Sequence, residues 1–197
     1  MRAAGRPGNR EVRMDLTVLG VLEFNSVAVG IKALDAMAKA ATIKIIDAKP
    51  VCPGKYLIII AGELASVDAA LTAGKKAGDT KIVDELFLPN LHAQIIPAII
   101  GAASCSKWDA IGVFEALSVA ASIEAGDVAA KIADITIPEI RLAVGLGGKS
   151  FVKFVGEIGE VETAMQAALA SISKRGLVCS TVVIPNPDPS IREFFLV

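Results

Sequence analysis

The chain contains the same residue pattern twice, and this repeat restricts its fold more than any other feature. Leu19-Gly-Val-Leu-Glu23 matches Ile111-Gly-Val-Phe-Glu115 at an offset of 92 residues. Further matches follow at offsets of 92 to 96: Ser26 with Ser118, Asp35 with Asp127, Lys39 with Lys131, Gly54 with Gly148, Gly62 with Gly156 and Asn90 with Asn186. Because the matches run through each predicted element, they indicate two tandem copies of one small domain.

Each copy is predicted to fold as a β-α-β-β-α-β unit. In the first copy, short apolar runs predict strands at residues 16–23, 43–48, 56–61 and 82–88. A first helix, capped by Asn25 or Ser26, follows the first strand, and a second helix ends near Gly78. This order of elements is typical of the split βαβ, ferredoxin-like α+β fold.

The repeat also predicts the domain boundaries. We expect one domain at residues 16–100 and the second at 111–197, with a linker in which Trp108 packs. Residues 1–15 carry arginines but no apolar stretch, so we expect a disordered tail and no signal peptide, with Met14 as an alternative start. The apolar stretch near residues 95–103 is broken by Pro97, so no transmembrane segment is expected.

Composition points to an oligomer in a reducing compartment. Hydrophobic residues make up 53% of the chain and aromatic residues only 5%, so a monomer would expose sizeable aliphatic patches. The net charge of −1 predicts neither a nucleic-acid nor an anionic-membrane surface. Three widely spaced cysteines argue against a secreted disulfide framework and favour the cytoplasm.

Cys52 lies in a short, stiff loop between the second and third predicted strands. Pro50 and Pro53 fix their own φ angles and favour extended geometry in the residues before them, and Gly54 allows the turn. Iron–sulfur clusters need three or four thiolates, and the chain has no Cys-x-x-Cys motif. From the residues alone, a free, small hydrophobic cysteine and a ligand shared between subunits are both open interpretations.

Residues 143–150 nearly match a phosphate-binding P-loop, with Ala143 at a position where the motif requires glycine. That motif needs a helix after it, whereas residues 151–155 predict a strand. We therefore interpret the glycines as a flexible loop that binds no nucleotide.

No catalytic constellation is predicted. His92 is the single histidine and is interpreted as a hydrogen-bonded loop residue. The carboxylate–lysine pairs Asp35/Lys39 and Asp127/Lys131 have the i, i+4 spacing of a helix surface, where such pairs add about 0.3–0.5 kcal/mol. Glu23 and Glu115 end the first strand of each copy, and their repetition predicts a structural role.

The residues at 19–28, 35–41 and 185–187 resemble the bacterial microcompartment (BMC) shell-protein domain. Over residues 16–196 the chain is similar to the tandem, non-permuted, trimeric class of this family. Cys52-Pro-Gly-Lys55 is most similar to the PduT branch, from propanediol-utilising compartments. The resemblance implies a non-enzymatic tile in the shell of a cytoplasmic microcompartment, built as a pseudo-hexameric homotrimer. A soluble ferredoxin-like sensor is an alternative that leaves the edge lysines unexplained.

The resemblance also implies a central pore with a 4Fe-4S cluster on the threefold axis. Cys52 is the implied metal ligand, with one cluster per trimer, and Lys49 and Lys55 are expected to offset its charge. The implied role is electron transfer across the shell to a redox enzyme or electron carrier. The implied pore-lining residues are Val51, Cys52, Pro53, Gly54, Val144, Gly145, Leu146, Gly147 and Gly148. The alternative is a metal-free tile with a metabolite-conducting or gated pore. Cys105 and Cys179 are interpreted as structural.

Tile-edge contacts with other BMC shell proteins are implied for Lys39, Lys131, Asn90 and Asn186. Single-domain members of the family often carry Pro-Arg-Pro-His near their end. Here the copies have Pro89-Asn-Leu-His92 and Pro185-Asn-Pro-Asp188. This departure predicts edge contacts that are weaker or selective for particular neighbours.

Overall fold

The structure, a computed structural model, describes residues 16–196. The tail predicted at residues 1–15 and the last residue, Val197, lie outside the described residues. Within the described part, each copy of the repeat forms its own four-stranded antiparallel sheet with two long helices.

The first repeat has the predicted order of elements. Its elements are β1 (Val18–Phe24), α1 (Val27–Ala40), β2 (Lys44–Val51), β3 (Lys55–Gly62), α2 (Leu64–Gly78) and β4 (Ile82–Leu88), followed by the short helix α3 (Ile95–Ile99). The strands are ordered β2-β3-β1-β4, as in the ferredoxin-like fold. Ser26, not Asn25, caps α1, because its side chain accepts a hydrogen bond from the Val29 N–H.

The second repeat has the same topology, with the order β6-β7-β5-β8. Its elements are β5 (Ala110–Ala116), α4 (Val119–Ile132), β6 (Ile140–Arg141), β7 (Ser150–Gly156), α5 (Ile158–Ile172), β8 (Val178–Pro185) and the short terminal helix α6 (Arg192–Phe195). The two sheets with their helices confirm the predicted α+β fold.

In the first repeat, α1 and α2 cover one face of the sheet. Strand alternation directs Leu22, Phe24, Ile58 and Ile60 towards these helices, and all four are buried in one cluster. Gly30 permits the close approach of α1, since a Cβ at this position would lie 2.5 Å from the Tyr56 ring.

The opposite face of the first sheet packs against the second repeat. Leu19, Val21 and Ile59 on this face belong to the same buried cluster as Ile123 and Phe154 of the second repeat. One hydrophobic core therefore joins the two repeats. In consequence α4 is buried on almost every side, whereas in α1 only Gly30, Ala33 and Met37 are buried.

The linker and the terminal helix pack on each other. The Trp108 indole N–H donates to the Pro187 carbonyl at 3.2 Å, and its ring meets Phe195 edge-on at 5.7 Å between centroids. This contact confirms the predicted packing role of Trp108.

Among the helices of residues 16–196, none combines the length and the apolar character needed to cross a bilayer.

Candidate functional site

Cys52 lies in the turn between β2 and β3, directly after the last residue of β2. Its side chain is half-buried, whereas Pro53 and Gly54 are exposed. The preceding residue, Val51, is buried in the core and anchors the end of the strand. The turn therefore presents its thiol at a tip whose base is fixed by packing.

The structure brings this turn against the glycine loop of the second repeat. The Cys52 N–H donates to the Ala143 carbonyl at 3.3 Å. Gly148 has φ of 91°, and a Cβ at this position would lie 2.7 Å from Pro53 Cδ. Within the loop Val144, Gly145 and Gly147 are exposed. The two segments predicted to line a pore thus lie side by side in one chain; the pore itself stays a prediction.

Both lysines near Cys52 are paired with carboxylates within the chain, and their expected effect on the charge of a cluster stays a prediction. Lys55 is buried and donates to Glu23 Oε2 at 2.8 Å. Glu23 lies opposite Leu57 on the neighbouring strand β3. Lys55 is two residues before Leu57, so its side chain lies on the same face of the sheet as that of Glu23. Lys49 lies 2.6 Å from Asp47.

Glu23 joins the two repeats. Its Oε1 atom accepts a hydrogen bond of 3.0 Å from the Ala120 N–H in the first turn of α4, where the backbone lacks an intrahelical acceptor. The carboxylate is buried and its charge suits a helix N-terminus. The predicted structural role of Glu23 is confirmed. Its counterpart Glu115 is one-third exposed and pairs with Lys149 at 3.3 Å.

The two repeated aspartates have different environments. Asp35 and Lys39 form the predicted exposed pair at 2.6 Å. The predicted surface position of Asp127 is wrong, because its carboxylate is buried between the repeats. It accepts from the His92 N–H at 2.8 Å and from Lys131. The interpretation of His92 as a hydrogen-bonded loop residue is confirmed.

The Pro-Asn motif lies at the end of the last strand of each copy, β4 in the first and β8 in the second. Asn90 and Asn186 are exposed and have φ angles of 57° and 48°. Asparagine tolerates this left-handed conformation better than most residues, which gives the motif a local structural cause. The tile-edge role of these asparagines, and that of Lys39 and Lys131, stays a prediction.

The other cysteines differ from Cys52. Cys105 is half-buried in the linker, and burial raises the pKa of its thiol, against smaller lowering effects of Arg192 and Lys107. A raised thiol pKa disfavours the thiolate that binds metals. Cys179 lies in the predicted strand, the edge strand β8, where it is exposed; its interpretation as a structural residue stays a prediction. Within residues 16–196 of one chain, no cluster of three or more His, Cys, Asp or Glu side chains has metal-site geometry.

The segment after the glycine loop is the strand β7, as predicted. No helix therefore begins after this loop, and the loop lacks the helix N-terminus that binds phosphate in a P-loop.

A polar network between the repeats was not predicted. Arg175, which follows α5, pairs with Glu124 at 2.7 Å and with Asp84 of the first repeat. Asp84 also accepts from the Ser118 hydroxyl. Arg175 and Asp84 are 91 residues apart, and no local pattern links them.

Comparison with known proteins assigns the family. The model of the BMC domain matches residues 18–91 and again residues 110–187. The chain belongs to the BMC domain family.

This BMC protein is similar to several shell and microcompartment proteins. It is 38% identical over 173 residues to the bacterial microcompartment shell protein PduT of Citrobacter freundii, covering 88% of this chain and 94% of PduT. A crystal structure of a microcompartment protein from Desulfitobacterium hafniense superposes with a TM-score of 0.83 and 41% identity, covering 89% and 98% of the two chains. The carboxysome shell protein CsoS1 of Prochlorococcus marinus is 32% identical over 85 residues, 41% of this chain and 82% of its own.

These findings confirm the predicted resemblance. The protein is a bacterial microcompartment shell protein that contains two tandem BMC domains.

Proposed function

We propose that this BMC protein is a non-enzymatic shell tile, a homotrimer in which three Cys52 thiolates hold one 4Fe-4S cluster on the threefold axis. The observation that supports this proposal is the half-exposed thiol of Cys52 at the tip of an anchored turn, in contact with the glycine loop of the second repeat. Both loops would then surround the central pore.

Whether an iron–sulfur cluster fits this site depends on how many thiolate ligands are available. Thiolate sulfur is the ordinary ligand of iron–sulfur clusters, and three or four thiolates are needed. One chain offers a single thiol at this turn, so only a symmetric assembly supplies enough. A threefold axis would leave the fourth iron to a non-protein ligand. When bound, the cluster would supply one-electron transfer, and an electron carrier or redox enzyme at the pore would be its partner.

Iron content tests this proposal in the wild-type protein. After anaerobic reconstitution we expect a brown trimer with roughly one cluster per three chains, because each cluster takes three thiolates. Light scattering and iron and sulfide analysis of the same sample measure both quantities. A colourless trimer would support the metal-free tile with an open or gated pore. A monodisperse monomer or dimer at micromolar concentration would contradict the tile itself.

Edge lysines are the second testable part of the proposed tile. The double variant Lys39→Ala/Lys131→Ala should form trimers but fail to form extended sheets, because both lysines are exposed on the helices. Sheets should also weaken with salt if charge contributes. The control is Lys76→Ala/Lys174→Ala, which removes the same charge from other exposed positions. Electron microscopy of the sheets measures the result; intact sheets in the first variant would reject the edge role.

A further inference from the structure

The second repeat contains a buried lysine that has no part in the proposed cluster site. Lys153 lies on β7 and is only 8% exposed, whereas its counterpart in the first repeat, Ile59, is an apolar residue of the core. Burial of an ammonium group costs free energy unless its charge and its N–H groups are satisfied. The partners of Lys153 therefore indicate what this residue does.

Two partners of Lys153 belong to the short C-terminal helix α6. The ammonium group donates a hydrogen bond to the Phe195 carbonyl and lies 5.0 Å from the centroid of the Phe195 ring. A second ring, that of Phe151 on β7, lies 5.5 Å from the same ammonium group. Aromatic faces attract cations, most strongly where water is excluded. Lys153 thus attaches α6 to the sheet of the second repeat.

Few buried contacts hold α6 in place. None of its four residues is buried. Other contacts join it to the linker, where Arg192 donates to the Ser106 carbonyl at 3.1 Å and Phe195 meets the Trp108 ring edge-on. A short segment at a chain end with little buried apolar surface opens at a low cost in free energy. The docking of α6 therefore depends strongly on Lys153.

The fourth partner of Lys153 belongs to the segment that leads into the glycine loop. The ammonium group lies 2.6 Å from Oε2 of Glu139, and this oxygen is buried. Glu139 directly precedes β6, and its carbonyl accepts a hydrogen bond of 3.0 Å from the Lys153 N–H. Oε1 of Glu139 pairs with Arg141 at 2.5 Å. Both the main chain and the side chain of Glu139 are thus bound to Lys153.

This attachment is important because β6 is short. It has two residues, whereas β2, the equivalent strand of the first repeat, has eight. Two residues after β6, the Ala143 carbonyl accepts the hydrogen bond from the Cys52 N–H. With so few ladder hydrogen bonds in β6, the pair of Glu139 and Lys153 helps to fix the start of the loop that contacts Cys52.

We propose that Lys153 is a positioning residue that couples the C-terminal helix α6 to the glycine loop at residues 143–149. While α6 is docked, it holds the Lys153 ammonium group against Glu139, and Glu139 fixes the base of the loop. When α6 detaches, Lys153 loses two of its four partners, and the loop becomes more mobile beside Cys52. The inference rests on the proposed function only in treating this loop as part of the pore.

Lys153→Met tests both ends of this coupling. Methionine has a similar length but no charge, so the variant leaves a buried carboxylate oxygen without its counter-ion and α6 without its anchor. We expect amide hydrogen exchange in residues 143–149 to become at least about tenfold faster. The emission of Trp108, the single tryptophan, should shift towards that of a solvent-exposed indole as Phe195 leaves its ring.

The matched control is Lys75→Met, which makes the same chemical change at an exposed pair with Glu85. It should change neither the exchange of the loop nor the emission of Trp108. Mass spectrometry of cluster-free protein measures the exchange, so the result does not depend on iron.

Phe195→Ala tests whether the effect passes from α6 to the loop. It removes the ring from Lys153 and from Trp108 but changes no residue of β6, β7 or the loop. Exchange in residues 143–149 should again become faster. The double variant Phe195→Ala/Lys153→Met should exchange no faster than Lys153→Met, because both substitutions break the same chain of contacts.

The outcomes separate this coupling from its alternatives. A Phe195→Ala variant with shifted Trp108 emission but wild-type exchange in residues 143–149 would overturn the coupling, and so would additive effects in the double variant. Unshifted emission in Lys153→Met would show that Lys153 does not hold α6, and faster loop exchange in Lys75→Met would show that the effect is not specific; either would overturn the proposal. Wild-type protein that binds no iron would reject the proposed cluster and leave this inference standing.

Discussion

Replacing Cys52 by serine is expected to remove the colour and all of the iron from anaerobically prepared trimers, without dissociating them. Iron in these clusters is held by soft thiolate ligands, and a serine hydroxyl is a poor substitute. The substitution changes one atom in a half-buried turn, and the hydrophobic core does not include that side chain. The loss of iron should therefore be complete while folding and assembly stay unchanged. Iron analysis and light scattering of one preparation measure both effects.

The other two cysteines supply matched controls. Cys105→Ser and Cys179→Ser make the same chemical change, at a linker position with a raised thiol pKa and at an exposed edge-strand position. Both variants should keep the cluster. Iron that depends on Cys105 or Cys179, or that persists in Cys52→Ser, would reject Cys52 as the ligand.

The fold was predictable because its determinants are local and occur twice. Apolar runs of strand length, the Ser26 cap and the matching residues of the second copy specify the order of elements without long-range information. The error in the predicted end of β2 also has a local cause. The apolar run predicts a strand that ends at residue 48, but the strand continues through Pro50 to Val51, because β2 is an edge strand, where a missing N–H is tolerated.

The environment of the charged residues was not predictable, because it depends on how the repeats pack. Asp35 and Asp127 have equivalent places in the sequence, yet only Asp127 meets the other repeat. Likewise, the contact from Glu23 to Ala120 joins residues 97 apart. In one chain each repeat has a neighbour on one side only, so equivalent residues acquire different burial. A repeat in sequence therefore predicts equivalent folds but not equivalent surfaces.

Glu23→Ala is expected to lower the free energy of unfolding of the chain by about 3–5 kcal/mol. The change leaves the buried Lys55 ammonium without its counter-ion and the Ala120 N–H without its acceptor. An uncompensated buried charge costs far more than the loss of an exposed pair. Urea denaturation followed by circular dichroism measures the difference, at protein concentrations low enough to keep the chain monomeric.

Two further variants separate this explanation from a general loss of packing. Glu115→Ala removes the equivalent carboxylate where it is one-third exposed, so unfolding of the monomer should change by less than about 1 kcal/mol. Glu23→Gln/Lys55→Met keeps an acceptor for the Ala120 N–H and replaces the ammonium with an apolar side chain of similar length. Because no buried charge is then left unpaired, much of the lost stability should return. Equal destabilisation by Glu23→Ala and Glu115→Ala would show that burial between the repeats does not determine how much free energy of unfolding is lost. If the double variant is no more stable than Glu23→Ala, the unpaired Lys55 charge is not the source of the stability lost in Glu23→Ala.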